Sequence, residues 1–103
     1  MVGKYKVITL CGSTKFKDDF LKEQKRLSLE GNIVISVGCF GHTEGEVWSE
    51  ETKQMLDDMH RCKIDLADEI FVINKHGYIG ESTKAEIEYA KKHWKKVNYM
   101  ENY

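Results

Sequence analysis

The chain has 103 residues, of which 41% are apolar and 32% are charged, a composition that suits one globular domain with a single core. With 16 basic and 17 acidic residues the formal net charge is −1, which provides no positive field for a polymeric nucleic acid and excludes that partner class. The start of the chain has no apolar run long enough for a signal peptide or a membrane span. We therefore expect one cytoplasmic domain, residues 1–103, without a membrane partner.

The first third of the chain predicts a strand, a helix and a second strand. Residues 5–11 are β-branched and apolar, as strands are, and Gly12-Ser13 ends them. From residue 14 to 29 the apolar side chains fall on one helical face, and Gly31-Asn32 is typical of a left-handed cap that ends a helix. Residues 32–37 predict a short strand. The apolar residues of the predicted helix face are Phe16, Phe20, Leu21 and Leu27.

A glycine-rich segment and a second helix follow. Residues 38–48 show no periodicity, so we predict a long loop there. We expect its residues 39–48 to become ordered when a ligand binds. Ser49 predicts the N-cap of the next helix, with Glu50 and Glu51 in its first turn. Four apolar residues then repeat at i, i+4, i+7 and i+11, which predicts a stripe facing the core. They are Met55, Met59, Cys62 and Leu66.

The remaining elements define the fold class. Residues 69–74 form a continuous apolar run, typical of a strand covered on both faces in a parallel sheet. A helix is predicted over residues 82–94 and a last strand over 96–100. The order β-α-β-α-β-α-β with right-handed crossovers predicts a small, doubly wound α/β/α sandwich. Its four-stranded sheet should be mainly parallel and of the flavodoxin or Rossmann type.

The predicted topology locates a ligand site. In open parallel sheets, ligands bind at the carboxyl ends of the strands, near the point where strand order reverses. Three segments should lie there: residues 12–15, 39–48 and 75–83. The first is a glycine turn that leads into a helix N-terminus, where an anion is favoured. An ordinary strand-to-helix turn with a serine or threonine cap is the alternative.

Glu86 has two possible roles. If Thr83 caps the helix, Glu86 is its third residue, and the pair matches a capping box. Alternatively, Glu86 lies over the strand ends as a reactive carboxylate, kept ionised by the positive pole of the helix. Local sequence leaves both possibilities open.

Three segments together resemble the nucleoside 2-deoxyribosyltransferase superfamily, which includes nucleotide N-glycosidases. They are LCGST at residues 10–14, KIDLADEIFVIN at 63–74, and GYIGESTKAEIEYAKKHWKKV at 77–97. The resemblance implies that Glu86 is the nucleophile and that subunits associate to complete each site. Thr9 stands where many members carry a tyrosine, and His60 stands where some carry an aspartate.

The resemblance implies cleavage or transfer of the N-glycosidic bond of a nucleoside or nucleoside 5′-monophosphate. Glu86 would form a glycosyl-enzyme intermediate. Asp65, Asp68 or Glu81 could assist departure of the base, and we expect Asp65 to do so because it lies at the end of the second helix, near the edge of the third strand. A nucleotide-binding module without turnover and an NAD-cleaving enzyme are the rival functions. The residues expected to bind substrate are Gly12, Ser13, Lys15, Phe40, His60, Gly80, Ser82 and Thr83.

We expect neither a cofactor nor a metal. A zinc site can be drawn from Cys39, His42, His60 and Cys62, but the spacing matches none of the usual zinc frameworks. Three cysteines without a CxxC pair suit a reducing compartment, where they pack as small apolar residues.

Overall fold

Four parallel strands form one sheet in the computed structural model, which describes residues 1–41 and 45–102. The strand order is β2-β1-β3-β4, and every neighbouring pair is parallel. The strands are β1 (Val7–Gly12), β2 (Ile33–Ile35), β3 (Glu69–Ile73) and β4 (Lys96–Tyr99).

Three helices cover the two faces of the sheet: α1 (Lys17–Leu29), α2 (Glu50–Leu66) and α3 (Glu81–Lys92). Short 3-10 turns at Thr14–Phe16 and Lys75–Gly77 precede α1 and α3. No helix in the described part of the chain combines the length and apolar character needed to cross a membrane.

Alternate side chains of the central strands separate the core into two layers. Leu10 packs with Phe20 of α1 on one face. The next residue, Cys11, packs with Ile64 of α2 and Ile87 of α3 on the other. This period of two is what a strand covered on both faces requires. The predicted three-layer α/β/α sandwich is therefore confirmed.

Two predicted helix boundaries are confirmed by their hydrogen bonds. After α1, Gly31 has a φ of 97° and donates its N–H to Ser28 O, while Asn32 N–H reaches Leu27 O. This pair of bonds is a Schellman cap. At the start of α2, Ser49 Oγ accepts the N–H of Thr52 at 3.1 Å, as an N-cap does.

The predicted core stripe of α2 is wrong. Met55, Met59 and Leu66 are 53%, 42% and 70% exposed, and Cys62 is exposed as well. The inward face begins one residue later, at the half-buried Leu56, and continues through the residues that follow. A polar residue at the centre of this face conceals it from an analysis of apolar periodicity. The other inward residues are His60, Lys63, Ile64 and Ala67.

The end of α3 also differs from the prediction. The helix stops at Lys92, two residues before the predicted end. Trp94 then adopts a φ of 61° and is 93% exposed, so it does not face the sheet.

The carboxamide of Asn74 joins the end of β3 to the last described residues. Its Nδ2 donates to Glu101 O at 3.1 Å, and its Oδ1 accepts the N–H of Glu101 at 2.8 Å. The Glu101 carboxylate also accepts the N–H of His76 at 2.8 Å. Asn74 is fully buried, and these bonds satisfy its amide.

Candidate active site

A cleft of about 590 Å³ lies at the carboxyl ends of β1 and β3. The chain leaves β1 toward β2 on one side, while β3 pairs on the other side, so strand order reverses here. The cleft walls come from residues 12–15, from the middle of α2 and from the start of α3. This is the position predicted for a ligand site in such a sheet.

Gly12 permits the close approach of two strand ends at the cleft floor. Its φ is 148°, and a Cβ built there would lie 2.7 Å from Ile73 O. Both the backbone conformation and the contact with β3 therefore exclude a side chain.

We predict that Gly12→Ala destabilises the protein by roughly 1–3 kcal/mol, because alanine must adopt a strained conformation and displace the end of β3. Urea unfolding at equilibrium measures the difference. Gly45→Ala is the comparison. Gly45 also has a positive φ, so alanine is strained there too, but a Cβ at this position has nothing within 4 Å and tests the backbone strain without the steric contact. A loss for Gly12→Ala no larger than that for Gly45→Ala would contradict the steric argument.

The capping-box prediction for Glu86 is wrong. Helix α3 begins at Glu81, and Gly80 occupies the N-cap position, with no side-chain cap hydrogen bond among the described residues. Thr83 is the third helical residue and is buried, and Glu86 is the sixth. A side chain in the second turn cannot reach the unpaired N–H groups of the first turn.

Glu86 is a largely buried carboxyl group between α2 and α3. Its side chain is 19% exposed and lines the cleft. Burial, reinforced by the negative charge of Asp57, raises the pKa of Glu86 to about 7, although a hydrogen bond with Cys11 and the charge of Arg61 oppose the rise. The expectation that the helix pole keeps Glu86 ionised is wrong, because that effect fades beyond the first turn.

Glu86 belongs to a cluster of three ionisable side chains. His60 Nε2 lies 3.6 Å from Glu86 Oε1 and 3.3 Å from Cys11 Sγ. Burial lowers the pKa of His60 to about 4, helped by the charge of Lys63. Burial likewise raises the pKa of the Cys11 thiol, and Glu86 adds to the rise. At neutral pH the imidazole and the thiol are therefore uncharged.

Most of the predicted site residues lie around this cleft. Lys15 places its Nζ 3.5 Å from the centre of the Tyr78 ring, which sets a cation and an aromatic ring together in the wall. Trp48 adds a second aromatic ring to the lining. The predicted residues that line the cleft are Gly12, Ser13, Lys15, His60, Gly80, Ser82, Thr83 and Glu86.

Asp65 does not line the cleft. Helix α2 runs away from the carboxyl edge of the sheet, so a residue near its end lies close to the opposite edge. There the carboxylate accepts the Tyr89 hydroxyl at 2.8 and 2.9 Å. Lys95 donates to the carbonyl oxygens of Asp65 and Ala67 nearby. The role predicted for Asp65 is therefore wrong, and its contacts are structural.

Phe40 also lies outside the cleft lining. Its ring packs edge-on against Phe20, with 5.5 Å between centroids, and belongs to the core layer under α1. The aromatic residues available to a ligand are Trp48 and Tyr78 instead.

The zinc set drawn from the sequence is not assembled among the described residues. Cys62 is exposed, whereas His60 is buried and contacts Cys11. His42 lies outside the described residues, as do Thr43 and Glu44. Because this gap falls inside residues 39–48, the predicted ordering of that segment on ligand binding stays a prediction.

The sequence analysis did not assign a site role to Asp57, which lines the cleft, or to Cys11, which contacts His60 and Glu86. Asp57 lies three residues before His60 and so shares its side of α2. Cys11 follows Leu10 in β1 and points to the opposite face, toward α2 and α3. Both could have been found if the inward face of α2 had been placed correctly and the alternation of side chains along β1 had been taken into account.

Thr9 has a structural contact in place of the tyrosine of the resembled superfamily. Its side chain is fully buried and its hydroxyl donates to Lys63 O on α2 at 2.8 Å.

A search for similar proteins found no matching family model, curated protein or solved structure.

Proposed function

We propose that the protein cleaves or transfers the N-glycosidic bond of a nucleoside, a deoxynucleoside or a nucleoside 5′-monophosphate. The observation that supports this most is the position of Glu86, a largely buried carboxyl group in a cleft at the strand ends. Such a group can approach the anomeric carbon of a sugar from one side while the base leaves from the other.

In covalent catalysis, Glu86 and Asp57 would each have one role. A Glu86 carboxylate oxygen bonds to C1′ of the sugar as the N-glycosidic bond breaks, and the bonding electron pair leaves with the base nitrogen. Asp57 shares the cleft with Glu86 and replaces Asp65 as the group that donates a proton to the departing base nitrogen and recovers one from the attacking water or second base. Water or a second base then attacks C1′, and Glu86 is released.

The cleft wall also offers groups for the rest of the substrate. Lys15 supplies a cation beside the turn after β1, suited to a 5′-phosphate. Trp48 and Tyr78 present rings on which a base can stack. Ser82 and the buried Thr83 place hydroxyl groups in the same wall, where sugar hydroxyls can be bound.

The test is incubation of the protein with a panel of nucleosides, deoxynucleosides, their 5′-monophosphates and NAD, each with and without a second free base. Chromatography would detect free base or the exchanged nucleoside. Base release would indicate a hydrolase, and exchange alone would indicate a transferase. No turnover of any compound would contradict the proposed enzyme.

A nucleotide-binding module without turnover is the second candidate. It is favoured by the raised pKa of Glu86, because a protonated carboxyl group is not a nucleophile. Titration calorimetry with the same compounds separates the candidates, since the module would bind a nucleotide that it leaves intact.

We also propose that the chain forms a homodimer or larger assembly, through the exposed stripe Met55, Met59, Cys62 and Leu66 on α2. Contiguous exposed apolar residues of this kind are typical of an interaction surface. Light scattering at micromolar concentration should give a mass clearly above the 12.0 kDa of one chain.

A substitution pair tests the assembly surface. Met59→Lys on α2 should shift the mass toward the monomer, because it places a charge within the stripe. Leu21→Lys is the matched control, since Leu21 is 49% exposed on α1, on the other face of the sheet. A monomeric wild type would contradict the assembly, and equal effects of both substitutions would contradict this surface.

A cytoplasmic location is part of the proposal. All three cysteines are free thiols, and Cys39 and Cys62 are exposed, which suits a reducing compartment.

A further inference from the structure

Three different donor atoms meet behind the cleft: the sulfur of Cys11, the Nε2 of His60 and a carboxylate oxygen of Glu86. All lie within 4.8 Å of one another. Each comes from a separate element, β1, α2 and α3 respectively, so the cluster depends on the tertiary fold. Cys11 and His60 are buried, and Glu86 is largely so.

The spacing of these atoms matches a tetrahedral metal site. Zinc bonds of about 2.0–2.3 Å at tetrahedral angles place ligand atoms roughly 3.3–3.6 Å apart. The observed separations are 3.3 Å for Cys11 Sγ to His60 Nε2 and 3.6 Å for His60 Nε2 to Glu86 Oε1. Two of the three pairs therefore already have tetrahedral spacing, and the third pair, Cys11 Sγ and a Glu86 oxygen, lies within 4.8 Å.

We infer that Cys11, His60 and Glu86 form a binding site for a thiophilic divalent cation, with Zn²⁺ the best match. The sulfur, nitrogen and oxygen donors are the set that zinc takes in proteins, and three protein ligands leave the fourth position open toward the cleft. This site is distinct from the zinc set drawn from the sequence, with which it shares only His60.

Charge balance supports the same conclusion. A thiolate and a carboxylate together neutralise a divalent cation, and a neutral imidazole adds a lone pair without charge. The ion therefore adds no net charge to a largely buried site. Binding must release the Cys11 proton, and the Glu86 proton wherever that carboxyl group is protonated, so affinity should increase with pH.

The inference does not rest on the proposed glycosidic chemistry. It does have a consequence for it, because an ion bound to Glu86 Oε1 occupies an oxygen that would attack the sugar. If the enzyme is active, Zn²⁺ should inhibit it and a chelator should restore activity.

The test uses the chain with Cys39→Ser and Cys62→Ser, stripped of metal by a chelator, so that Cys11 is the only thiol. Addition of Co²⁺ should produce the sulfur-to-metal charge-transfer absorption and the intense visible bands of tetrahedral cobalt thiolates, saturating at one equivalent. Zn²⁺ should displace the cobalt and raise the melting temperature of this protein, since it binds only the folded state.

Variants in the same background identify the ligands. Cys11→Ser should abolish the charge-transfer band, and Glu86→Gln should weaken cobalt affinity by more than about a hundredfold, beyond the roughly 10–100-fold that loss of an outer-shell partner alone causes. Glu88→Gln, an exposed neighbour on α3, is the matched control. Circular dichroism checks that each variant folds.

The outcomes separate clearly. Absence of the band in the protein with Cys11 as its only thiol would overturn the inference, as would an unchanged band in Cys11→Ser. Equal affinities of Glu86→Gln and Glu88→Gln would remove Glu86 from the site and overturn the three-ligand site. None of these measurements requires a substrate, so failure of the metal site and failure of the proposed enzyme are independent results.

Discussion

Glu86→Gln should lower the rate of base release by roughly a thousandfold or more, because an amide cannot form the glycosyl ester that covalent catalysis requires. Glutamine keeps the size of the side chain and its cleft contacts, so substrate affinity should change much less than the rate. Rates should be measured in a chelator, so that a bound metal ion cannot contribute to the difference.

Glu88→Gln is the control for this prediction. Glu88 is exposed and lies two residues further along α3, so the same chemical change there should leave the rate close to wild type. Retention of most of the wild-type rate by Glu86→Gln would remove the central residue from the proposed enzyme.

The pH profile of the wild-type rate gives a second check on Glu86. Only the ionised carboxylate is nucleophilic, and its pKa is about 7. The rate should therefore increase as the pH rises through 7. A rate that is constant between pH 5 and 8, with substrate binding unchanged, would disagree with a Glu86 nucleophile.

The second large effect is on the pH dependence of stability. It comes from the opposite pKa shifts of Glu86 and His60. The pKa of Glu86 rises on folding from 4.5 to about 7, so the stability it contributes below pH 4.5 is lost as the pH rises to 7. The pKa of His60 falls from 6.5 to about 4, so stability is gained as the pH rises from 4 to 6.5. Each shift corresponds to roughly 3 kcal/mol.

In the wild type, the loss of stability due to Glu86 and the gain due to His60 should nearly cancel between about pH 4.5 and 6.5. In this range folding adds a proton to Glu86 and removes one from His60, so there is no net proton uptake. With one of the two residues replaced, the free energy of unfolding should show only the pH dependence of the other. Relative to wild type, Glu86→Gln should gain roughly 3 kcal/mol between pH 4.5 and 7, and His60→Gln should lose a similar amount between pH 4 and 6.5.

Urea unfolding at a series of pH values, in a chelator, measures these differences. Using the difference from wild type removes the contribution of carboxylates outside the pair, such as Asp68. The charges of Asp57, Arg61 and Lys63 act on the pair and stay the same in all three proteins. Parallel stability curves for the three would show that the pair does not titrate as described, and opposite slopes would indicate a native ion pair of Glu86 and His60.

The sequence predicted the fold because several of its signals are local. The Gly31-Asn32 cap and the Ser49 cap depend on a few neighbouring residues, and both are confirmed. The continuous apolar run of β3 depends only on burial of both sheet faces.

The candidate site was predicted less well, because it depends on which side chains the tertiary fold places together. The stripe through Met59 is as apolar as a core face, and the true face of α2 contains the polar His60 at its centre. Similarly, Thr83 and Glu86 match a capping box, but the helix begins two residues before Thr83. Local pattern and tertiary structure disagree at both places. The residues whose roles were misjudged, His60, Thr83 and Glu86, all line the cleft, and such disagreement is expected at a functional site.

The contact between Asn74 and Glu101 makes the cleft wall depend on a distant part of the sequence. The carboxamide pairs with both backbone groups of Glu101 as a peptide group in an adjacent strand would, so in effect the sheet gains one further rung beyond β3 and β4. The turn at Lys75–Gly77 starts from this rung and leads to the Tyr78 and Gly80 side of the cleft. Separation of residue 101 from Asn74 would leave a fully buried amide unpaired, which costs on the order of 1–3 kcal/mol. We therefore expect release of residue 101 from Asn74 to loosen the turn at Lys75–Gly77, and similarly slow amide exchange at His76 and Glu101 would support this link.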